Sequence, residues 1–281
     1  MATSTTMIRP MTPADADPAA AVVLAGGWGD RTLFLRFVTT APACRPLVAV
    51  ADGEIVGTGV GTVNGPVGWV GTIFVTPGRR GHGLGMALTQ AIVDALEAAG
   101  CRTLVLVATA QGRTLYERLG FELQTTYRTL EAPGLSDAAP ADGRIRPFRP
   151  DDLAAMANLD RAATGEDRRH LLEAFATEES ARCLVRPDGA LGGFVVRAPW
   201  GGGATVVPDA DDATAILEAR RRAAGPERRV RAGVLAENEA GYRRLADLGW
   251  TDAWSAPRLV RGAPLKWNPL ALWGQFNHAL G

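Results

Sequence analysis

The stretch Val75-Thr76-Pro77-Gly78-Arg79-Arg80-Gly81-His82-Gly83-Leu84-Gly85-Met86 joins a predicted strand to a predicted helix. Its glycines at 81, 83 and 85 carry no Cβ atom that would keep an anion away from the backbone N–H groups. The helix start adds unpaired N–H donors and a partial positive charge, and Arg79 and Arg80 add charge-assisted hydrogen bonds. The segment therefore predicts a diphosphate-binding site.

Two common nucleotide-binding loops do not fit this segment. A Walker loop needs Gly-Lys-Ser/Thr, and the segment has no lysine. A Rossmann fingerprint needs G-x-G-x-x-G directly after the strand and an acidic residue at the end of the next strand. Here the glycines run G-x-G-x-G, residues 77–80 intervene, and the next predicted strand ends in Val107-Ala108-Thr109. Both classes are excluded.

The segment resembles the acetyl-CoA loop of the GNAT superfamily of N-acetyltransferases, Arg/Gln-x-x-Gly-x-Gly/Ala, which is matched by Arg80-Gly81-His82-Gly83-Leu84-Gly85. A second signature of that family, a tyrosine four residues before Gly-Phe, is matched by Leu115-Tyr116-Glu117-Arg118-Leu119-Gly120-Phe121. One departure is Thr109, seven residues before Tyr116, where the family often has Asn. The resemblance covers roughly residues 7–129.

The hydrophobic pattern around the two motifs predicts a mixed α/β unit. We expect this unit to be a mostly antiparallel sheet with a central βαβ crossover. The order of its elements also looks like the GNAT fold. The predicted elements are a strand at 7–9, helices at 13–24 and after Asp30, strands at 47–51, 55–63 and 67–75, a helix at 84–99, a strand at 104–108, a helix at 114–119 and a strand at 121–129.

An internal repeat predicts two related domains. Ile8-Arg9-Pro10-Met11-Thr12-Pro13-Ala14-Asp15 recurs as Ile145-Arg146-Pro147-Phe148-Arg149-Pro150-Asp151-Asp152, and Leu119-Gly120-Phe121 recurs as Leu248-Gly249-Trp250. Between the copies, residues 132–143 are rich in Pro, Gly, Ala and Asp and have no periodicity. We predict a catalytic, acetyl-CoA-binding GNAT domain at 1–131, a linker at 132–143 and a degenerate GNAT-like domain at 144–281.

The second copy lacks the features that make the first a binding site. Its counterpart loop, Val207-Pro208-Asp209-Ala210-Asp211-Asp212-Ala213, has acids where the first copy has arginines and glycines. Leu245 stands where Tyr116 stands in the first copy. Carboxylates would repel a pyrophosphate, so this domain is predicted to complete the fold by packing on the first. Residues 267–273 are predicted to form a buried clasp.

The resemblance implies a role for each matching residue. The backbone of Ile73, Phe74 and Val75 would pair with the pantetheine arm, and Tyr116 would protonate the leaving thiolate. Trp28 and Asp30 lie where the family shapes its acceptor pocket, with core filling the alternative for Trp28. The pyrophosphate would be held by Arg80, Gly81, His82, Gly83, Leu84, Gly85 and Met86, of which His82 either contacts a phosphate or faces solvent.

The general base stays open at this point. Asp30, Asp52 and Glu54 are the nearest acidic candidates by topology, and a water chain or a main-chain carbonyl would serve equally. The expected activity is transfer of the acetyl group of acetyl-CoA to a primary amine of a small molecule by direct attack in a ternary complex. The alternatives are a non-catalytic acyl-CoA-binding sensor and a protein N-terminal or lysine acetyltransferase.

Composition limits the compartment and the partners. The 281 residues are 47% hydrophobic and 21% charged, with 30 basic and 30 acidic side chains, which disfavours disorder and nucleic-acid binding. No apolar run reaches the roughly 18 residues that span a bilayer, and no signal peptide is recognised. Three isolated cysteines have no metal-ligand spacing, so no metal is expected. We expect a cytoplasmic protein, either a monomeric pseudo-dimer or a weak homodimer.

Overall fold

The computed structural model describes residues 6–136 and 142–281. None of the helices in these ranges is long and apolar enough to cross a membrane. The first half contains β1 (Met7–Pro10), α1 (Ala16–Ala25), α2 (Thr32–Val38), β2 (Cys44–Ala51), β3 (Glu54–Asn64), β4 (Val67–Val75), α3 (Leu84–Ala98), β5 (Thr103–Val107), α4 (Arg113–Arg118) and β6 (Glu122–Pro133). The second contains β7 (Ile145–Pro147), α5 (Leu153–Thr164), α6 (Arg169–Phe175), β8 (Ala181–Val185), β9 (Leu191–Arg197), β10 (Gly203–Val206), α7 (Ala210–Ala224), β11 (Arg229–Leu235), α8 (Glu239–Asp247), β12 (Thr251–Gly262) and β13 (Leu272–Gly274).

Helix α3 packs on a groove that three alternate glycines make in β3. Gly57, Gly59 and Gly61 are alternate residues, so a side chain at any of these positions would point to the same face of the strand. A Cβ atom on each would come within 3.0–3.3 Å of the buried α3 residues Leu88, Ile92 or Leu96. The absence of side chains lets the helix lie close to the strand, which fixes the position of its N-terminus.

The sequence repeat is visible as the same local structure in both halves. Arg9 binds Asp15 through two hydrogen bonds of 2.7 and 2.8 Å, and Arg146 binds Asp152 through two of 2.7 Å. In each copy this ion pair lies where a first short strand turns into a 3-10 turn that leads into a helix. The chain therefore has the mixed α/β fold with two related halves that the sequence predicts.

The two halves exchange strands, which the sequence did not reveal. The larger sheet has the order β1-β2-β3-β4-β5-β12-β6-β11, and the smaller has the order β13-β10-β9-β8-β7. Strand β12 of the second half lies between β5 and β6 of the first and is antiparallel to both. Strand β6 extends through Pro133 into the predicted linker 132–143, of which residues 137–141 lie outside the described ranges.

The corresponding βαβ unit of the second half is closed by β13. This strand pairs with β10 and also contacts β11, so it lies between the two strands that flank α7. Its Trp273 is buried, and the indole N–H donates to the Val207 carbonyl at 3.0 Å. The strand therefore fills the place that stays open between β4 and β5 in the first half.

A buried ion pair joins α5 to the start of α6. The Arg168 guanidinium donates to Asp160 through two hydrogen bonds of 3.0 and 2.5 Å, and both side chains are only 1% exposed. The same guanidinium lies over the Phe276 ring, 5.5 Å from its centroid. Removing one charge would leave the other buried without its counter-ion.

We predict that Asp160→Asn lowers the free energy of unfolding by about 3 kcal/mol, because it leaves the buried Arg168 without a carboxylate. Urea denaturation at neutral pH measures this. The control is Glu173→Gln, which breaks a 2.9 Å ion pair to Arg169 whose side chains are about half exposed. It should change stability by less than about 0.5 kcal/mol. Equal effects of the two variants would contradict the prediction.

Candidate active site

Strands β4 and β5 separate to form a V-shaped notch. Their parallel pairing covers Val67–Trp69 and, within the described residues, goes no further, although β4 continues to Val75. On its other side β4 has a register shift against β3 between Thr58 and Val60. Opposite the shift, Thr72 has a left-handed φ of 51°. A bulge of this kind bends a strand, so it turns β4 away from β5.

The notch opens into a cavity of about 1180 Å³. Most of the residues that the sequence predicts as a site lie in its wall, although they come from a strand, a loop and two helices. Of the predicted residues, the wall includes Trp28, Ile73, Phe74, Val75, Arg80, Gly81, Gly83, Leu84, Gly85, Met86 and Tyr116.

One end of the cavity is the N-terminus of α3. Gly81 and Gly83 have φ values of 81° and 80°, a conformation that favours glycine, and a Cβ on either would meet nothing within 4 Å. The first-turn N–H groups of α3 have no partner within the helix and face this open space. An open, positively polarised backbone cradle fits a diphosphate.

The two arginines of the loop are not equivalent. Arg80 lines the cavity, and its Nε–H donates to the Val75 carbonyl at 2.9 Å while the guanidinium lies 5.9 Å from the Phe74 ring centroid. Arg79 pairs with Asp52 at 3.0 Å and is not part of the wall. The sequence predicts a phosphate contact for both, and of the two only Arg80 lines the cavity.

Tyr116 lies on α4, in the wall of the cavity. Its ring packs edge-on against Phe121 with centroids 6.3 Å apart, and Gly112 leaves no room for a Cβ beside it. Burial raises the pKa of Tyr116 to about 12, so the side chain is a phenol at neutral pH. Among the described residues none forms a hydrogen bond with the phenol oxygen, which leaves its O–H available as a donor.

The opposite wall of the cavity comes from both halves of the chain. Trp28 stands edge-on to Phe74 at 5.5 Å, and β12 and the following tail contribute Trp254, Asn277 and His278. His278 packs against Trp254 with ring centroids 5.1 Å apart. The sequence analysis missed the residues from the second half because no local motif surrounds them. The exchanged strand β12 brings Trp254 here, and the tail after β13 brings Asn277 and His278.

His278 Nδ1 is buried and has no hydrogen-bond partner among the described residues. Burial, with Arg31 and Arg258 nearby, lowers the pKa of His278 to about 4. The imidazole is therefore neutral at physiological pH and has an unsatisfied nitrogen beside the cavity.

The remaining predicted residues lie away from the cavity. His82 is exposed and not part of the wall, and Asp30 is exposed and accepts a 2.8 Å hydrogen bond from the Thr32 N–H. Asp52 and Glu54 lie at the β2–β3 turn. The wall contains no Asp or Glu. Within the described ranges no cluster of His, Cys, Asp and Glu is placed to hold a metal ion.

Comparison with known proteins identifies the family. The model of the acetyltransferase (GNAT) family matches residues 17–121. An aminoglycoside N(6')-acetyltransferase type 1 from Stenotrophomonas maltophilia is 34% identical over 138 residues, which cover 43% of this chain and 90% of that protein. The chain belongs to the GNAT family. This family uses acetyl-CoA as co-substrate, and the glycine cradle at α3 fits its diphosphate.

Further relatives match over different extents. A mycothiol acetyltransferase from Streptomyces avermitilis is 41% identical over 91 residues, and the match covers 29% of each chain. A structure from Pyrococcus horikoshii has a TM-score of 0.81 at 18% identity and covers 98% of this chain and 96% of its own. A tandem GNAT protein from the clavulanic acid biosynthesis pathway has a TM-score of 0.64 at 17% identity, covering 92% and 99%. These two structures support the tandem GNAT fold.

We predict that Arg80→Ala weakens CoA binding by about ten-fold or more. A hydrogen bond to a charged group contributes about 1.5–3 kcal/mol, and each 1.4 kcal/mol is ten-fold in affinity. Calorimetric titration with CoA measures this. Arg79→Ala is the matched control, because it removes a neighbouring arginine that is turned toward Asp52. The dissociation constant of the Arg79→Ala variant for CoA should stay within about two-fold of the wild-type value. The reverse order would assign the phosphate contact to Arg79.

Proposed function

We propose that the protein transfers the acetyl group of acetyl-CoA to a primary amine of a small molecule by direct attack in a ternary complex. The observation that carries the proposal is that one continuous cavity joins an anion cradle, a half-buried phenol and an aromatic wall. The mycothiol and aminoglycoside relatives are both acetyltransferases. Holding the two reactants together is expected to supply most of the rate enhancement.

The cofactor side of the cavity would hold acetyl-CoA through backbone groups and one arginine. Residues 80–86 would bind the pyrophosphate, and the side of Ile73–Val75 that faces the notch would pair with the pantetheine arm. Bound acetyl-CoA supplies an activated acetyl thioester. Arg80 is restrained by its hydrogen bond to the Val75 carbonyl, so less side-chain entropy is lost when it contacts a phosphate.

Tyr116 would act at the leaving sulfur. Its phenol is protonated at neutral pH and its O–H has no competing acceptor, so it can donate to the thiolate as charge develops there. Donation is favoured in the transition state over the ground state because a thiolate is a stronger acceptor than a thioester.

His278 would receive the amine on the other side. Its neutral imidazole lines the cavity against Trp254, where it would pack beside the amine without adding a charge. The pKa of His278, near 4, lies far below that of an alkylammonium, so this residue cannot strip a proton from a charged amine. The acceptor would therefore enter as the free base. The proton that its nitrogen loses on acylation would pass to water, and water would reprotonate Tyr116 after it has given its proton to the sulfur.

We further propose that residues 1–131, the predicted catalytic domain, carry the cofactor site and Tyr116, and that residues 144–281 contribute to the acceptor wall but bind no cofactor. Asp209 caps α7, where its side chain accepts hydrogen bonds from the backbone N–H groups of Asp211 and Asp212. These are donors that a phosphate would need. With β13 lying between β10 and β11, the second half offers neither a cradle nor a notch.

We predict that Tyr116→Phe lowers kcat by about 100-fold, because the ring remains and only the donor to the sulfur is lost. Release of free CoA with the best acceptor measures kcat, and titration should show an unchanged affinity for CoA. The control is Tyr242→Phe, which removes a tyrosine hydroxyl that donates to Asp252 in the second half, outside the active site. This variant should keep the wild-type kcat. Full kcat in Tyr116→Phe would return Tyr116 to a packing role. A wild-type protein that binds CoA and acetylates no amine would favour a sensor.

We predict one CoA site per chain, since the second half has a carboxylate at the helix N-terminus and a strand in its notch. Calorimetric titration of the full chain with CoA gives the stoichiometry. Arg80→Ala should weaken that single site and leave no second binding event of wild-type affinity. Two equivalent sites in the wild-type titration would show that the second half also binds the cofactor.

A further inference from the structure

A second cavity, of about 590 Å³, adjoins the acceptor wall of the active site. It lies between β6 and β11 of the larger sheet, the C-terminal end of α7 and the β9–β10 turn. Four residues line both cavities: Arg31, Trp254, Asn277 and His278. A ligand that passes these four residues would therefore occupy both spaces at once.

The second cavity is strongly basic. Its wall contains one carboxylate, Glu131, which pairs with Arg229 at 2.9 Å and Arg231 at 3.6 Å. We call it the arginine cavity, because its wall contains Arg31, Arg197, Arg220, Arg228, Arg229 and Arg231.

Four of these guanidinium groups, those of Arg31, Arg197, Arg220 and Arg228, have no carboxylate within ion-pair distance among the described residues. Arg31 and Arg220 are partly buried, whereas Arg197 is exposed. The one side-chain hydrogen bond of Arg220 goes to the Thr205 hydroxyl at 3.3 Å. Burial and the neighbouring Arg197 lower the pKa of Arg220 to about 10, and burial lowers the pKa of Arg31.

Such a group of like charges is unfavourable in the empty protein and becomes favourable when an anion binds. Most other arginines of this chain do have carboxylate partners, as Arg9, Arg144 and Arg168 show. Arg31, Arg197, Arg220 and Arg228 thus line one cavity without a carboxylate partner among the described residues. A guanidinium group matches the geometry of both carboxylate and phosphate.

We propose that the acceptor is an amine that carries an anionic group, with the amine beside Trp28 and His278 and the anion in the arginine cavity. This rests on the proposed function and names its substrate class. The same charges would repel a second ammonium group, so polycationic acceptors are excluded. Carboxylate and phosphate share the chemistry, and the experiment separates them.

The test compares four acceptors that differ only at the far end: pentylamine, 5-aminovalerate, 5-aminopentyl phosphate and cadaverine. Free CoA release gives kcat/KM for each with wild type and with the double variant Arg197→Gln/Arg220→Gln. We expect the better anionic acceptor to exceed pentylamine by about ten-fold or more, with cadaverine the poorest. The double variant should remove this advantage and leave pentylamine and the affinity for CoA unchanged.

Arg243→Gln is the matched control, because it removes one arginine whose side chain is 75% exposed outside both cavities. It should behave as wild type with all four acceptors. Equal kcat/KM for 5-aminovalerate, 5-aminopentyl phosphate and pentylamine in wild type would overturn the proposal. So would a double variant that slows every acceptor equally.

A binding measurement keeps this inference separate from the enzymatic function. Calorimetric titration of the CoA-loaded protein with 5-aminovalerate and 5-aminopentyl phosphate should show binding that the double variant loses. Binding without turnover would refute the proposed reaction and support the anion site. Turnover of pentylamine without any anion binding would support the reaction and refute the anion site.

Discussion

The structure depends on the hydrogen bonds that β12 makes to β5 on one side and to β6 on the other. Because β5 is paired along its full length with β12, it can separate from β4 beyond Trp69 without losing its place in the sheet. The same strand carries Trp254 to the acceptor wall. One exchanged strand thus holds the notch open, fixes its far edge and contributes to the surface that faces the substrate.

The notch concentrates features that are unfavourable for stability alone. Thr72 has a backbone conformation that costs a β-branched residue about 1–3 kcal/mol, and the notch edge of β4 has unpaired backbone groups. His278 Nδ1 is buried without a partner among the described residues. The unpaired backbone groups of β4 can be satisfied by a bound reactant, so this part of the lost stability is consistent with a binding site.

The sequence predicted the cofactor side of the site better than the acceptor side. The cradle, Arg80 and Tyr116 belong to short segments whose local pattern determines their conformation, and a strand–loop–helix motif carries its own geometry. The acceptor wall needs residues near positions 28, 254 and 278, and no periodicity or turn signal links them. Strand exchange also cannot be inferred from hydrophobic alternation. The sequence pattern of β12 would be the same if it paired with β11 of its own half instead of with β5.

The exchange of strands also sets an order on biosynthesis. Strand β12 pairs with both β5 and β6. It begins at Thr251, more than one hundred residues after β6 ends at Pro133. At roughly 5–20 residues per second, the nascent first half waits on the order of ten seconds with two sheet edges exposed. Exposed edges invite pairing with other chains, so the ribosome-bound half is a natural client for chaperones. The arrangement that completes the active site therefore makes the growing chain vulnerable until its last strands emerge.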